Sequence, residues 1–201
     1  MSRRLGIFGG TFDPPHLGHQ ILASESLSQL RLDKVLWVLT PDPPHKRGKI
    51  ISPLKDRLDM LSAAITGHPD FELSRIEIDR PPPHYAVDTV HLLLQQNPGT
   101  KMIYLMGGDS LSDLPEWYNS IDFVNSCHKI GVLRRPGYDI NLNILENEIP
   151  GIKNKIEFVE TPLIEIAASD IRQMVKSGIS VREFLHPEVY QIIRERNLYQ
   201  S

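Results

Sequence analysis

The loop from Gly9 to His19 holds the densest group of residues suited to chemistry. It has the sequence GGTFDPPHLGH, with His16 and His19 three residues apart. That spacing puts two imidazoles on one face of a helix. The glycines let backbone approach a ligand closely, and a helix start offers unpaired N–H groups to an anion. This segment, the first loop, therefore predicts a phosphate-binding site with two imidazoles beside it.

Other interpretations of the first loop carry less weight. It matches neither G-x-G-x-x-G nor G-x-x-x-x-G-K-[ST], which disfavours a dinucleotide dehydrogenase and a Walker-type ATPase. An isolated H-x-x-H is most often a turn with two surface histidines. A zinc pair lacks further ligands, since Cys127 is the single cysteine. The combination of a strand, Gly-Gly-Thr and His-x-Gly-His at a helix start favours the anion site.

Proline is unusually frequent, at 16 of 201 residues, and three clusters share the tripeptide Pro-Pro-His, which ends at His16, His45 and His84. The second cluster leads into Lys46, Arg47 and Lys49. Such a charge run is usually solvated surface, but at the carboxyl end of a strand it can hold phosphate. In the third cluster, Asp88-Thr89 either caps a helix or contributes to a site there.

Further candidates follow later strands. Asp109 comes directly after Gly107-Gly108, where it can bond a ribose hydroxyl or simply form a turn. Trp117 and Tyr118 come next, and an indole in a loop can stack on a planar ring as readily as pack in a core. Arg134 ends an apolar run and is a candidate phosphate contact.

Short apolar runs rich in β-branched residues alternate with longer segments of helical period. The predicted strands are Leu5–Phe8, Lys34–Leu39, Phe71–Ile78, Lys101–Met106, Lys129–Leu133 and Ile156–Val159. The predicted helices are His16–Arg31, Pro53–Thr66, Val87–Gln96, a turn around Leu114–Asn125, Ser169–Ser177 and Pro187–Asn197. Ser52 is expected to cap the second helix, with Pro53 at its first position. Residues 136–155 fit a helix, a loop or both.

This alternation predicts an α/β fold, doubly wound, with a mostly parallel sheet and helices on both faces. Ligands bind such sheets outside the carboxyl ends of the strands, near the point where strand order reverses. The candidate loops all follow strands, so we expect them to meet there. We expect residues 1–201 to form a single domain with a C-terminal helical portion from about residue 168.

Bulk properties limit the function classes. The formal net charge is −3, so no general electrostatic attraction to nucleic acid is expected. No run approaches the ~18 apolar residues of a membrane span. A lone cysteine fits a reducing compartment, so we expect a cytoplasmic protein. A homo-oligomer is compatible with the sequence.

The segment GGTFDPPHLGH resembles the signature of the H-x-G-H nucleotidyltransferase superfamily, in which it binds a nucleotide triphosphate. Four further motifs follow this segment along the chain: PPHK, Y-x-x-D-T, G-x-D and a late I-R. The order of these motifs is similar to that in the bacterial nicotinate-nucleotide adenylyltransferase family. The resemblance covers nearly the whole chain and implies a Rossmann-like fold. The family's I-S-S-T-x-I-R motif is altered here, with Ala167, Ala168 and Ser169 in place of its hydroxyl residues.

The resemblance implies transfer of AMP from ATP to nicotinate mononucleotide, with Mg²⁺ bound through the ATP phosphates and no metal held by the protein. The implied catalytic residues are His16, His19 and Lys46. The implied ATP-binding residues are Gly9, Gly10, Thr11, Phe12, Gly18, Ser169 and Arg172. The implied nicotinate mononucleotide-binding residues are Tyr85, Thr89, Asp109, Trp117, Tyr118 and Arg134.

Three alternatives stay open. In the first two, AMP is transferred from ATP to a different phosphate monoester, either nicotinamide mononucleotide or phosphopantetheine. The changes at Ala167 and Ala168 also fit a non-catalytic nucleotide-binding regulator, although His16 and His19 count against it.

Overall fold

The computed structural model describes residues 2–43, 51–134, 141–161 and 166–200, with only the backbone of Arg134. The described strands are β1 (Arg4–Gly10), β2 (Lys34–Leu39), β3 (Phe71–Ser74), β4 (Lys101–Gly107), β5 (Lys129–Arg134) and β6 (Ile156–Glu160). The described α-helices are α1 (Leu17–Gln29), α2 (Leu54–Ile65), α3 (Ala86–Gln96), α4 (Gly108–Ser112), α5 (Ser120–Ser126), α6 (Leu142–Glu148), α7 (Ala168–Lys176) and α8 (Pro187–Glu195). None of these helices is long and apolar enough to cross a bilayer.

The six strands form one sheet in the order β3-β2-β1-β4-β5-β6, and every neighbouring pair is parallel. This is the Rossmann-like α/β arrangement expected from the sequence. The strand order reverses between β1 and β4, so the loops that follow these two strands flank the crevice where such sheets bind ligands.

Helices cover both faces of the sheet because the strands are apolar on both sides. One buried cluster joins the sheet to α3, α4, α5 and α6 through residues such as Val90, Leu111 and Phe123. The other joins it to α1 and α2 through residues such as Ala23 and Leu61. The two layers hold the carboxyl ends of the strands at one edge.

A third buried cluster, the C-terminal core, joins α7 and α8 to α2. Its residues from α2 are Met60, Ala63 and Ala64, and Ile171 and Ile193 come from α7 and α8. α2 therefore packs on the sheet with one side and on the C-terminal helices with another.

Two local predictions are wrong. The third strand ends at Ser74, not Ile78, because a helical turn follows in which the Asp79 amide donates to the Arg75 carbonyl. Ser52 does not cap α2, since Pro53 occupies the capping position and no side chain caps it there. The Ser52 amide instead donates to the Asp13 carboxylate.

Candidate active site

The first loop leaves β1 and enters α1 with its two histidines in contact. The rings of His16 and His19 lie 3.7 Å apart between centroids, and the His16 amide donates to His19 Nδ1 at 3.2 Å. Because Nδ1 accepts this bond, the neutral His19 ring carries its proton on Nε2. His19 therefore presents Nε2 as a hydrogen-bond donor.

Aromatic rings fix the orientation of His19. The Phe12 ring meets it edge-on at 5.2 Å, and the Phe8 ring lies 6.0 Å away. Phe12 has a φ of 47°, a left-handed conformation that non-glycine residues adopt only where the surroundings enforce it. A Cβ at Gly10 would lie 2.9 Å from the Phe12 ring, so glycine is required for this packing. Gly18 is buried at the start of α1.

A buried arginine ties the first loop to the loop after β2. The Arg57 guanidinium, 2% exposed, donates to the carbonyl oxygens of Thr11 at 3.1 Å, Thr40 at 2.9 Å and Pro41 at 2.7 Å. Its Nε donates to the Ser52 carbonyl at 3.0 Å. Burial lowers the Arg57 pKa, and the nearby Asp13 carboxylate opposes this shift.

Arg172 brings α7 to the first loop. Its Nη1 donates to the Asp13 carbonyl oxygen at 2.7 Å, which occupies one of five guanidinium N–H donors. α7 starts at Ala168, with Ala167 as its capping residue and no side-chain cap. Ser169 is exposed, and its hydroxyl donates to the Asp170 carboxylate at 3.3 Å. The Asp170 amide donates to the Ala167 carbonyl, so the backbone N–H groups without a side-chain cap at the start of α7 are those of Ala168 and Ser169.

A second group of candidates surrounds the start of α3. The Tyr85 and Tyr118 rings stack with centroids 4.1 Å apart, and Tyr118 is 59% exposed. Trp117 is half-buried and packs edge-on against Tyr104 at 6.1 Å and tilted against Phe123 at 5.4 Å. A planar ligand here would meet an aromatic surface that is already built.

Tyr104 connects this aromatic group to the first loop. A Cβ at Gly9 would lie 2.9 Å from the Tyr104 hydroxyl oxygen, so only glycine allows β1 and β4 this approach. The Trp117 ring packs edge-on against the ring of the same tyrosine. The proposed triphosphate and pyridine regions are therefore adjacent, with the strand-order reversal between them.

Thr89 lies below this surface. It is 1% exposed, and its hydroxyl donates to Glu77 Oε1 at 2.5 Å and accepts from Arg80 Nη2 at 3.0 Å. The Arg80 guanidinium also donates to the Pro83 and Tyr85 carbonyls at 2.8 and 3.2 Å. The Thr89 side chain thus supports the loop that carries Tyr85.

Glu77 and His84 are buried beside this network. Burial raises the Glu77 pKa, against the lowering effect of the Thr89 and Thr40 hydroxyls. His84 is 6% exposed, and burial lowers its pKa, with Arg80 adding to the shift. In both residues, burial shifts the pKa towards the neutral form.

The remaining candidates are placed less fully. Asp109 is exposed in the first turn of α4, directly after β4. Arg134 ends β5 beside β4 and β6. Lys46, with His45, Arg47 and Lys49, lies outside the described residues. Among the described residues, no group of three or more His, Cys, Asp or Glu side chains could hold a metal ion.

Sequence reasoning missed four residues that organise this region: Asp13, Arg57, Glu77 and Arg80. Arg57 had a detectable signal, because it shares the helical spacing of the buried Met60, Leu61 and Ala64 and so had to lie on the buried face of α2. The others make contacts whose partners no spacing rule indicates.

Comparison with known proteins finds relatives that match nearly the whole chain. The cytidylyltransferase-like family matches residues 7–183. A relative from Thermomicrobium roseum, named as a probable nicotinate-nucleotide adenylyltransferase, is 40% identical over 98% of this chain and 92% of its own. One from Bacillus licheniformis with the same name is 36% identical over 99% of this chain and 100% of its own.

Solved structures match the fold at low sequence identity. The Plasmodium falciparum nicotinic acid mononucleotide adenylyltransferase complexed with NaAD superposes with a TM-score of 0.81 at 18% identity, over 98% of this chain and 97% of that one. Its complex with APC gives 0.77 with the same coverage. The full-length similarity to the curated relatives goes further than the fold: this chain belongs to the cytidylyltransferase-like family, among its nicotinate-nucleotide adenylyltransferases.

Proposed function

We propose that this protein transfers AMP from ATP to nicotinate mononucleotide, releasing pyrophosphate and nicotinate adenine dinucleotide as a step of NAD biosynthesis. The intact His-x-Gly-His loop at the strand-order reversal carries the proposal. Family membership supports it, because the curated relatives named for this activity match over nearly their whole length.

We assign ATP to the first loop and α7. Its triphosphate would contact the backbone of Gly9, Gly10, Thr11, Phe12 and Gly18, the start of α7 at Ser169, and Arg172. The exposed start of α7 supports this, because backbone N–H groups bind phosphate without side-chain hydroxyls. Ala167 and Ala168 are therefore compatible with ATP binding.

We assign nicotinate mononucleotide to the aromatic region. Its pyridine ring would stack on Trp117, near Tyr85 and Tyr118, and its carboxylate would lie at the start of α3, above Thr89. A helix start favours an anion over a neutral amide, which favours nicotinate over nicotinamide. Asp109 would bond the ribose, and Arg134 the phosphate.

The reaction needs little from the protein besides alignment. A phosphate monoester has a second pKa of about 6, so it is mostly a dianion at neutral pH. Its oxygen can therefore act as the nucleophile without a general base. A phosphate oxygen of nicotinate mononucleotide bonds to the α-phosphorus of ATP as the bond to the bridging oxygen breaks, and pyrophosphate leaves. The protein aligns the two groups and stabilises the developing negative charge.

His16, His19 and Lys46 are the residues we propose for that stabilisation. The fixed tautomer of His19 supports its role, because Nε2–H is a donor that needs no reorientation during the reaction. Mg²⁺ would enter on the ATP phosphates and neutralise part of the charge on the departing pyrophosphate.

A lone, buried cysteine supports a cytoplasmic location for this enzyme. The proposed partners are ATP and nicotinate mononucleotide, without nucleic acid.

A pyrophosphate-release assay with ATP and Mg²⁺ tests the function against three acceptors: nicotinate mononucleotide, nicotinamide mononucleotide and phosphopantetheine. We expect release with the first at a kcat/KM well above the other two. A higher kcat/KM with another acceptor would identify that acceptor, and not nicotinate mononucleotide, as the substrate. Binding of ATP without release in all three reactions would favour a regulator.

A further inference from the structure

The Asp13 side chain lies inside the first loop and is only 5% exposed. Its two carboxylate oxygens bond to parts of the chain that are distant in sequence. Oδ2 accepts from the Ser52 amide at 3.1 Å, and Oδ1 accepts from the Tyr199 hydroxyl at 2.7 Å. A buried carboxylate needs such donors, because desolvation is costly unless hydrogen bonds replace water.

Tyr199 reaches this carboxylate from the far end of the chain. Its backbone has a φ of 65°, and Asn197 two residues earlier has a φ of 52°. Asparagine adopts this left-handed conformation readily after a helix, as Asn197 does after α8, whereas a bulky residue such as Tyr199 keeps it only where surrounding contacts enforce it. Burial and the Asp13 carboxylate raise the pKa of Tyr199, so its hydroxyl stays protonated and remains a donor.

The segment that carries Tyr199 is held on α2 by its own contacts. The Arg196 guanidinium bonds Asp56 at 2.6 Å and Asp59 at 2.7 Å. The Tyr199 hydroxyl also lies 3.9 Å from Met60 Sδ. The C-terminal segment thus brings the phenol to the first loop from a fixed position.

We propose that Tyr199 is a positioning residue for the transfer reaction, which acts through Asp13 to hold the first loop in its triphosphate-binding conformation. Asp13 lies three residues before His16, and its carbonyl also accepts from Arg172. Tyr199 therefore supports both the chain segment that leads from Asp13 to His16 and the contact of Asp13 with Arg172 on α7. Loops fixed before binding lose less entropy when the ligand arrives. This inference rests on the proposed function.

Steady-state kinetics of Tyr199→Phe tests the proposal, because this change removes one hydroxyl and keeps the ring. We expect kcat/KM for ATP to fall about tenfold, as for loss of a hydrogen bond to a charged group. KM for nicotinate mononucleotide should stay within about twofold, because the aromatic region does not touch Asp13. Tyr190→Phe is the matched control: Tyr190 lies on α8 under the Arg194 guanidinium, and its variant should match wild type.

Amide hydrogen exchange supplies a second measurement that does not depend on turnover. In Tyr199→Phe we expect faster exchange in peptides covering residues 9–19 and unchanged exchange in β5. A lower melting temperature with wild-type ATP kinetics and unchanged exchange in the first loop would make Tyr199 merely structural and overturn the proposal. Failure of the proposed function looks different, because wild-type protein would then release no pyrophosphate with nicotinate mononucleotide.

Discussion

His19 carries the sharpest expectation for a single side chain. Its Nδ1 accepts the His16 amide, and the Phe8 and Phe12 rings hold its plane, so the Nε2 donor is oriented before substrate binds. Losing such a preorganised donor costs about 10²–10³ in kcat in other enzymes. We expect His19→Ala to lower kcat by about that factor, measured as pyrophosphate release at saturating substrates.

The control for His19 is His68→Ala. His68 is exposed and stacks on Phe71 at the amino end of β3, at the opposite edge of the sheet. Its loss should leave kcat unchanged. Near-normal turnover in His19→Ala would remove the role assigned to that imidazole.

Glu77 gives a pH-dependent effect on stability. Burial raises its pKa in the folded state, so the unfolded chain loses this proton at a lower pH than the folded protein does. As pH rises through the unfolded pKa towards the folded one, the folded state holds more protons, and Glu77 makes the free energy of unfolding fall. The full penalty is present above the folded pKa and absent in acid.

Glu77→Gln removes this titration and keeps an oxygen that accepts from the Thr89 hydroxyl. We therefore expect the free energy of unfolding of the variant, relative to wild type, to increase between pH 4 and pH 7. Urea denaturation at several pH values in that range measures it. A relative stability that is flat or decreases with pH would contradict the burial argument. Glu72→Gln is the control, because Glu72 is exposed on β3 and bonded to Lys34.

At the scale of elements, Arg57 makes α2 the support for two loops of the site. Its guanidinium bonds four carbonyl oxygens, from Thr11, Thr40, Pro41 and Ser52. Arg57→Met keeps much of the packing volume but leaves these buried acceptors without their donor. We expect the free energy of unfolding to fall by about 3–5 kcal/mol, as for breaking a buried charged network.

Chemical denaturation measures the Arg57 effect, with Arg75→Met as its control. Arg75 forms an exposed pair with Asp79, so its loss should change stability by no more than about 0.5 kcal/mol. A cost for Arg57→Met as small as the control would mean that water satisfies the four carbonyls when the guanidinium is removed.

The apolar pattern of the sequence predicted a strand well where burial on both faces of the sheet decides its length. β2 has the expected bounds, Lys34–Leu39, because a continuous apolar run suits a strand buried on both faces. β3 is shorter than expected, since an apolar residue such as Ile76 serves equally well in a turn packed on the core. Hydrophobicity alone does not distinguish these two uses.

In the site, too, local features were predictable from the sequence and contacts between distant residues were not. The first loop was recognisable from the spacing of its glycines and histidines, which is a local property. The bonds from Arg57 to Thr11 and from Tyr199 to Asp13 span 46 and 186 positions. Pairing at such separation depends on how helices pack, so a single sequence does not indicate it. Thr89 stays a predicted ligand-binding residue, and its hydroxyl bonds to Glu77 and Arg80, two partners that the sequence did not indicate.

At the scale of the whole molecule, α2 belongs to two cores. Leu61 and Ile65 pack against the sheet, whereas Met60, Ala63 and Ala64 pack against α7 and α8. A helix shared in this way links the stability of the C-terminal helices to that of the sheet. Since Tyr199 and Arg172 also bond to the first loop, loss of the C-terminal helices would remove these two contacts and leave the bond from Arg57 to Thr11.

We therefore expect one cooperative unfolding transition, as for a single domain. Ile193 on α8 is 2% exposed, and Ile193→Ala should lower the free energy of unfolding by about 2–4 kcal/mol through the cavity it leaves. Far-UV circular dichroism and tryptophan fluorescence should shift together in urea. The fluorescence comes from Trp37 and Trp117, which pack in the two clusters on either face of the sheet. If helical signal were lost at lower urea than the tryptophan signal, the C-terminal helices would be a separate folding unit. Ile179→Ala, at a site 54% exposed, should leave both transitions in place.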